Sequence, residues 1–218
     1  MNIAPDRMTQ TLLCSGMLII WYSLSQLPGY LPHYAVLSSS GWLVPLLCSL
    51  EFLVLVALYR WYSVYYDDIP AGQVRLSHII IFSVLLLLLL ASQSLYLQEE
   101  NWVTGQLSEN SLTVLFFMLA VVVLAPVYEE ILFRGFVLHG CLLWAPQQKV
   151  LCSLLTSLLF AAIHMQYSHL QTLIALFLLS LLLCGARFIS GGLKLPIFIH
   201  MLNNLLGVLP LFCQRFLS

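Results

Sequence analysis

The chain of 218 residues is 61% hydrophobic and 8% charged, and its mean hydropathy is +0.97. A soluble globular domain carries about 45–50% apolar and about 25% charged residues, so a soluble fold is excluded. The formal net charge is −1, with eight lysines and arginines in all, which leaves no basic surface for nucleic acid. The composition predicts an all-α, polytopic transmembrane helical bundle in a lipid bilayer.

Seven apolar stretches approach the length of about 20 residues that a membrane-spanning helix needs. They are residues 9–27, 42–64, 77–97, 111–126, 148–165, 169–186 and 196–213. An eighth apolar segment, 127–145, follows Pro126. Because proline removes a helical hydrogen bond, we expect the helix to kink or restart there. The sequence therefore predicts seven to eight membrane helices with an irregular break near Pro126.

The distribution of basic residues predicts the orientation in the membrane. The residues that flank the N-terminus and two of the loops are Arg7, Arg60, Arg75, Arg187 and Lys194. The polar stretch from Gln98 to Asn110, interpreted as a loop, carries Glu99, Glu100 and Glu109 and no basic residue. We therefore expect this loop outside and the N-terminus in the cytoplasm, with Arg215 as the one mismatch. The first apolar run lacks a small-residue cleavage site, so it is interpreted as a retained span.

Two glutamates and an arginine lie inside the apolar segment that follows Pro126. Ionisable residues within membrane spans are costly and mark functional sites by default. Glu130 and Arg134 are four residues apart, in the acid-first order that favours a helical ion pair. Glu129 points about 100° away from Glu130 and cannot share that partner. The pair therefore has a structural role, and Glu129 remains as a candidate general base.

Two histidines and an asparagine occur in later apolar segments. His164 ends an apolar run, and His200 and Asn204 share one helical face. Imidazole and carboxamide groups accept a proton from water, donate to an oxyanion or, for histidine, bind a metal. Each histidine alone fits a packing role, but together with an unpaired glutamate they predict one shared site. The other histidines are interpreted as interfacial: His33, His78, His139 and His169.

This sequence lacks the motifs of other classes of intramembrane hydrolase. There is no HExxH for zinc hydrolysis of the site-2 type, no GxGD and no Gly-x-Ser-Gly nucleophile, although Asp67 and Asp68 form an aspartyl pair at a span end. The six cysteines are scattered without CxxC spacing, so we expect neither a disulfide framework nor a zinc knuckle. A site of Glu, two His and Asn remains.

Three motifs together resemble the CAAX-protease and bacteriocin-processing (CPBP) family, which includes the eukaryotic Ras-converting CAAX endopeptidase. The family's EExxxR motif corresponds to Glu129–Arg134, its FxxxH motif to Phe160–His164 and its HxxxN motif to His200–Asn204. Order and spacing agree, and the match covers about residues 111–213. The resemblance implies one integral membrane domain, 1–218. It has accessory spans in 1–110 and a catalytic core in 111–213.

The resemblance also implies an intramembrane endopeptidase that hydrolyses a peptide bond near the C-terminus of its substrate. By analogy, the catalytic residues are Glu129, His164, His200 and Asn204, and the positioning residues are Glu130 and Arg134. Glu129 activates water with help from His164, while His200 and Asn204 hold the oxyanion. We expect no cofactor. A zinc ion on Glu129, His164 and His200, with an open position for water, is the alternative.

Two other functions remain open. One is a non-catalytic scaffold or immunity-type protein of the same fold, and the other is a small transporter with Glu129 as a proton relay. Costly polar groups in lipid favour the protease, and transporters are built from repeated halves, which this sequence lacks. The expected partner is a membrane-associated protein or peptide substrate, and the expected location is a bacterial inner membrane. The sequence specifies neither the substrate nor the oligomeric state.

One distance conflicts with a shared site if the helices are straight. Glu129 and His200 each follow closely after a cytoplasmic helix start, whereas His164 lies about 20 Å along a helix that begins near Lys149. We expect irregular helix starts at Pro126 and around Gly191–Gly192, which would bring the three residues together.

Overall fold

The structure, a computed structural model, describes residues 6–66, 69–96, 98, 100–107 and 110–217. These residues form helices joined by loops, with no β-strand among them. Five helices in this part of the chain are long and apolar enough to cross a membrane: Arg7–Tyr30, Leu43–Tyr65, Leu76–Gln93, Ser111–Trp144 and Leu170–Ser190. The protein is an all-helical integral membrane protein. Five such helices are fewer than the seven or eight expected.

The α-helices are numbered here in chain order. They are α1 Arg7–Gln26, α2 Tyr34–Ser39, α3 Leu43–Tyr65, α4 Leu76–Gln93, α5 Asn101–Leu107, α6 Ser111–Leu119, α7 Ala125–Glu130, α8 Leu138–Trp144, α9 Lys149–Ile163, α10 Leu170–Ser190 and α11 Lys194–Leu217. A 3₁₀ turn, Leu27–Tyr30, extends α1. Two π-helical segments, Ala120–Leu124 and Ile131–Val137, join α6, α7 and α8. The result is one long helix, Ser111–Trp144.

The irregularity predicted near Pro126 is present as the π-helical segment Ala120–Leu124, but the predicted break is not, because the long helix runs through this residue. Just before the proline, the Ala125 amide donates to the Ala120 carbonyl, five residues back. In that register the Val121 carbonyl faces Pro126, which has no N–H to donate. The side-chain amide of Asn204 donates to this carbonyl at 2.9 Å. A residue from α11 thus satisfies the backbone group that the proline leaves unpaired, and the helix does not restart.

The long helix is the centre of the bundle. Helices α1 and α3 pack against it on one side, α11 packs against α7 and the first π segment, and α9 and α10 contact the second π segment. The main apolar cluster lies between α1, α3, the long helix and α9, where Leu55, Tyr62, Phe133 and Phe160 are fully buried. Helices α4, α10 and α11 share a second cluster. The site residues of α7, α9 and α11 therefore face one another across packed helices.

The predicted irregularity at Gly191–Gly192 is confirmed. Gly191 adopts the left-handed conformation, with φ 64° and ψ 19°, and ends α10. Gly192 lies against the backbone of Gly72, so closely that an added Cβ would collide with it. The loop before α4 is hydrogen-bonded to this turn, since the amide of Lys194 donates to the carbonyl of Ala71 at 2.9 Å. The close backbone contact fixes where α11 begins.

The polar stretch between α4 and the long helix is not the plain solvated loop that was expected. It contains α5, and the side chain of Glu100 is buried, at 8% exposure. Its carboxylate accepts hydrogen bonds from the Thr172 hydroxyl at 2.6 Å and from the Ser168 and His169 amides at 3.0 and 3.3 Å. Glu100 thus connects the segment before α5 with the start of α10 through hydrogen bonds. Four residues named from the sequence lie outside the described part: Asp67, Asp68, Glu99 and Glu109.

Candidate active site

Glu129, His164 and His200 meet between α7, α9 and α11. Glu129 Oε2 lies 4.0 Å from His164 Nε2 and 3.8 Å from His200 Nε2, and its side chain is 14% exposed. These separations exceed hydrogen-bond distance. Three of the four residues predicted to share a site, Glu129, His164 and His200, therefore lie together.

The expected distance between His164 and Glu129 is wrong for two reasons. Glu129 lies near the middle of a helix of 34 residues, not at the start of a short one. Helix α9 has only 15 residues, about 22 Å, which is less than the hydrocarbon core of about 30 Å. It is therefore shorter than a spanning helix, and its last residues lie beside the middle of the long helix, where Glu129 is. Both effects bring His164 to the depth of Glu129.

The end of α9 determines which nitrogen of His164 faces the site. His164 caps the helix, and its Nδ1 lies 2.6 Å from the Phe160 carbonyl. The last carbonyls of a helix lack intrahelical partners, so the imidazole Nδ1–H satisfies one of them. In the neutral ring, Nε2 is then an acceptor. This acceptor is the atom that faces Glu129.

Glu130 does more than neutralise Arg134. The predicted ion pair forms, with Arg134 Nη1 donating to Glu130 Oε1 at 2.9 Å and both side chains fully buried. The same oxygen lies 2.8 Å from His200 Nδ1. A histidine that donates from Nδ1 to a carboxylate has a fixed ring orientation. Glu130 therefore directs His200 Nε2 toward Glu129.

Arg134 and Phe160 pack beside the site. Arg134 Nη2 donates to the Ser180 hydroxyl at 2.8 Å and to the Ser180 carbonyl at 3.0 Å, which links the long helix to α10. The guanidinium lies 4.9 Å from the centre of the Phe160 ring. That ring also packs against both histidines, with centroid distances of 4.6 Å to His164 and 6.0 Å to His200. The phenylalanine of FxxxH thus orders the charged groups around it.

Asn204 lies one helical turn after His200, and its amide is held on both sides. Its Nδ2 donates to the Val121 carbonyl, and its Oδ1 accepts from Asn203 Nδ2 at 3.0 Å. Only the amide nitrogen can donate to a carbonyl, so these contacts fix the orientation of the side chain. One N–H of Asn204 remains for a further acceptor. Among the described residues, the structure gives Asn204 no direct hydrogen bond to Glu129 or to either histidine.

Sequence reasoning missed three residues around the site. Ser180 and Asn203 carry no signal of their own, because a serine or an asparagine in an apolar helix has many uses. Glu51 did carry a signal, since it is a lone carboxylate within an apolar stretch. It lies in α3, is 3% exposed and faces the hydroxyl of Tyr128, the neighbour of Glu129.

The spacing of the donors also bears on metal binding. In a tetrahedral zinc site with bonds of about 2.0–2.1 Å, ligand atoms lie about 3.3 Å apart. The Nε2 to Oε2 separations of 3.8 and 4.0 Å are longer. Among the described residues, no group of three or more His, Cys, Asp or Glu has the geometry of a metal site.

The fold and the site define a class: an integral membrane protein with a buried site of one glutamate and two histidines. Residues 111–206 match a protein-family model described as type II CAAX prenyl endopeptidase Rce1-like. The resemblance drawn from the three motifs is confirmed over this part of the chain, which is similar to CAAX proteases.

A curated relative and the solved structures complete the comparison. The chain is 40% identical over 121 residues to a protein of Escherichia coli that is named "Uncharacterized 24.3 kDa protein". That alignment covers 55% of this chain and 56% of the relative, so the chain spans about half the length of the relative that it matches. No solved structure matches the chain.

Proposed function

We propose that the protein is an intramembrane endopeptidase that uses Glu129 to activate water. One observation carries the proposal: Glu129 faces the Nε2 atoms of two oriented histidines, while Oε1 of the neighbouring Glu130 binds Arg134 and His200. A scaffold needs none of these polar groups inside a membrane, where each is costly. The similarity of residues 111–206 to CAAX prenyl endopeptidases points to the same reaction.

In the proposed mechanism, a water molecule lies between Glu129 Oε2 and His164 Nε2. Its oxygen attacks the carbonyl carbon of the scissile peptide while Glu129 takes one of its protons. The negative charge moves to the former carbonyl oxygen, which accepts hydrogen bonds from His200 Nε2–H and the remaining Asn204 Nδ2–H. Glu129, helped by His164, then gives the proton to the leaving nitrogen. The C–N bond breaks, and a carboxylic acid and an amine are released.

His200 Nδ1 lies 2.8 Å from Glu130 Oε1. If Nδ1 donates to this oxygen, donation from Nε2 to the oxyanion requires the imidazolium form of His200.

The proposal extends to substrate and location. A site inside the bilayer suits a membrane-associated protein or peptide whose scissile bond lies near its C-terminus or close to the membrane. We propose a bacterial inner membrane with the N-terminus in the cytoplasm, following the basic residues of the loops. A non-catalytic scaffold of the same fold is the competing function.

Cleavage in proteoliposomes made with ¹⁸O-labelled water tests the proposal. The purified full chain is mixed with a set of C-terminal tails of membrane proteins, and products are identified by mass spectrometry. We expect one new carboxyl group that contains ¹⁸O, because water is the nucleophile. A product without ¹⁸O contradicts hydrolysis by water, and no cleavage of any tail favours the scaffold.

We propose that the reaction needs no metal, and treatment with a chelator tests this. The ligand spacing around Glu129 is longer than a zinc site requires. We expect 1,10-phenanthroline or EDTA to leave cleavage within about twofold of the untreated rate, where a metal hydrolase loses its activity. A non-chelating phenanthroline isomer is the matched control for effects on the bilayer. Loss of activity that zinc restores would contradict the metal-free mechanism.

A further inference from the structure

A pocket of about 640 Å³ lies where the loop before α4 meets the turn after α10. Its wall includes Gln73, Arg75 and His78 from the start of α4 and Phe188, Ile189 and Ser190 from the end of α10. Among the described residues, the wall contains no member of the candidate active site. The pocket is therefore a separate feature of the molecule.

Hydrogen bonds hold the two sides of this pocket together. The amide of Gln73 donates to the Ser190 carbonyl at 3.0 Å, and the amide of Leu193 donates to the Pro70 carbonyl at 3.3 Å. The Ser190 hydroxyl donates to the Gly192 carbonyl at 3.0 Å. The backbone of one side thus pairs with the backbone of the other, and side chains remain to bind a ligand.

Two basic side chains of the wall bind no other group of the protein. Arg75, the residue before α4, is exposed and has no ion pair or hydrogen bond to any described residue. His78 lies three residues later, and its Nδ1 is buried with no hydrogen-bond partner in the described part of the chain. The first turn of α4 also lacks a side-chain cap, and its free amides add to the attraction for a negative charge.

Positive charge is concentrated around the pocket. Lys149 Nζ lies 5.5 Å from the centre of the Phe188 ring, which is part of the wall. Arg187 lies in the last turn of α10, and Lys194 begins α11 directly after the turn. The wall contains no aspartate or glutamate among the residues that the structure describes. A concave surface lined by one sign of charge concentrates ions of the other sign, so the pocket favours an anion.

The pocket lies at the ends of two membrane helices. Both α4 and α10 are long and apolar enough to cross a membrane, and their ends lie at the level of the lipid headgroups. Three apolar side chains beside the pocket are exposed: Leu76 at 72%, Ile80 at 54% and Ile189 at 59%. A phosphate in the pocket therefore has a surface for hydrocarbon chains directly next to it.

We propose that this pocket binds the phosphate group of an anionic phospholipid through Arg75 and His78, with the acyl chains along Leu76 and Ile80. Arginine donates parallel hydrogen bonds to phosphate oxygens, and basic pockets between membrane helices bind phospholipid headgroups. Inorganic phosphate offers the same oxygens, but the exposed apolar side chains favour the lipid. The site is independent of the proposed protease activity, so its tests need no cleavage.

Native mass spectrometry of the full chain in detergent tests the proposal. Phosphatidylglycerol and phosphatidylcholine with the same acyl chains are compared, and we expect one phosphatidylglycerol to be retained in preference. Arg75→Gln should lower its affinity about tenfold or more, the effect of losing a hydrogen bond between charged groups. Arg60 is exposed at the end of α3 and does not line the pocket, so Arg60→Gln is the matched control and should bind as the wild type does. Equal losses for both variants, no loss for Arg75→Gln, or equal retention of the two lipids overturns the site.

Thermal unfolding in the same detergent separates lipid from free phosphate. A ligand that binds only the folded state raises the unfolding midpoint, so we expect phosphatidylglycerol to raise it for wild type and Arg60→Gln. His78→Leu should reduce that rise. Since His78 Nδ1 has no partner among the described residues, this variant should unfold near the wild-type midpoint without lipid. An equal rise with inorganic phosphate overturns the lipid as ligand, and a full rise for both Arg75→Gln and His78→Leu overturns the pocket as its site.

Discussion

Glu129→Gln is expected to lower the rate of peptide cleavage by about 10²- to 10⁴-fold, the usual contribution of a general base. Glutamine has the same shape but cannot take a proton from the water of the proposed mechanism. The ion pair of Glu130 with Arg134 does not involve Glu129, so the protein should insert and fold as the wild type does. The measurement is single-turnover cleavage in proteoliposomes, with yield and size-exclusion profile recorded for the same preparation.

Glu51→Gln is the matched control for this substitution. Glu51 is the buried glutamate of α3 and has no ion pair or hydrogen bond to His164 or His200 among the described residues. We expect it to retain most of the activity. If Glu129→Gln cleaves at the wild-type rate, the assignment of the base is wrong. If Glu51→Gln loses as much activity as Glu129→Gln, the effect is not specific to the proposed base.

More of the candidate site than of the helix arrangement could be predicted from the sequence. Charged groups are so scarce in this chain that Glu129, Glu130 and Arg134 could be considered individually, and the four-residue spacing of Glu130 and Arg134 specifies their pairing. The contact between Glu130 and His200 joins residues 70 positions apart. No periodicity within either segment encodes that contact.

The error at Pro126 has a local cause. Pro126 is a helix-breaking signal when only the backbone of its own helix is considered. Here the adjacent π segment shifts the hydrogen-bond register, and Asn204 from α11 supplies the missing donor. A rule based on one segment cannot include a donor from another helix. For the same reason, an asparagine assigned to oxyanion binding also turned out to stabilise the backbone.

The contact between Asn204 and the Val121 carbonyl accompanies the continuous helix that places Glu129 far from either helix end. The continuous helix carries Glu129 at its middle, whereas a restart at Pro126 would have placed it near one surface. Helix α9 is too short to span and ends where His164 can reach Glu129. The continuous long helix and the short α9 thus bring Glu129 and His164 together.

Arg134→Met is expected to destabilise the folded protein by about 3–5 kcal/mol, because it leaves Glu130 as a buried charge without its cation. It also removes both hydrogen bonds to Ser180 and the contact with the Phe160 ring. The measurement is the free energy of unfolding in mixed detergent and SDS micelles, together with the yield of monodisperse protein.

The double variant Glu130→Gln/Arg134→Met separates charge from packing. Replacing both members of a buried pair by neutral groups of similar size is often tolerated, so we expect the double variant to recover most of the lost stability. The introduced glutamine can still accept a hydrogen bond from His200 Nδ1, but it cannot balance an imidazolium, so cleavage should stay impaired. If the double variant is as unstable as Arg134→Met alone, the destabilisation comes from the contacts with Ser180 and Phe160. If Arg134→Met folds normally and only loses activity, Arg134 acts in the reaction and not in the fold.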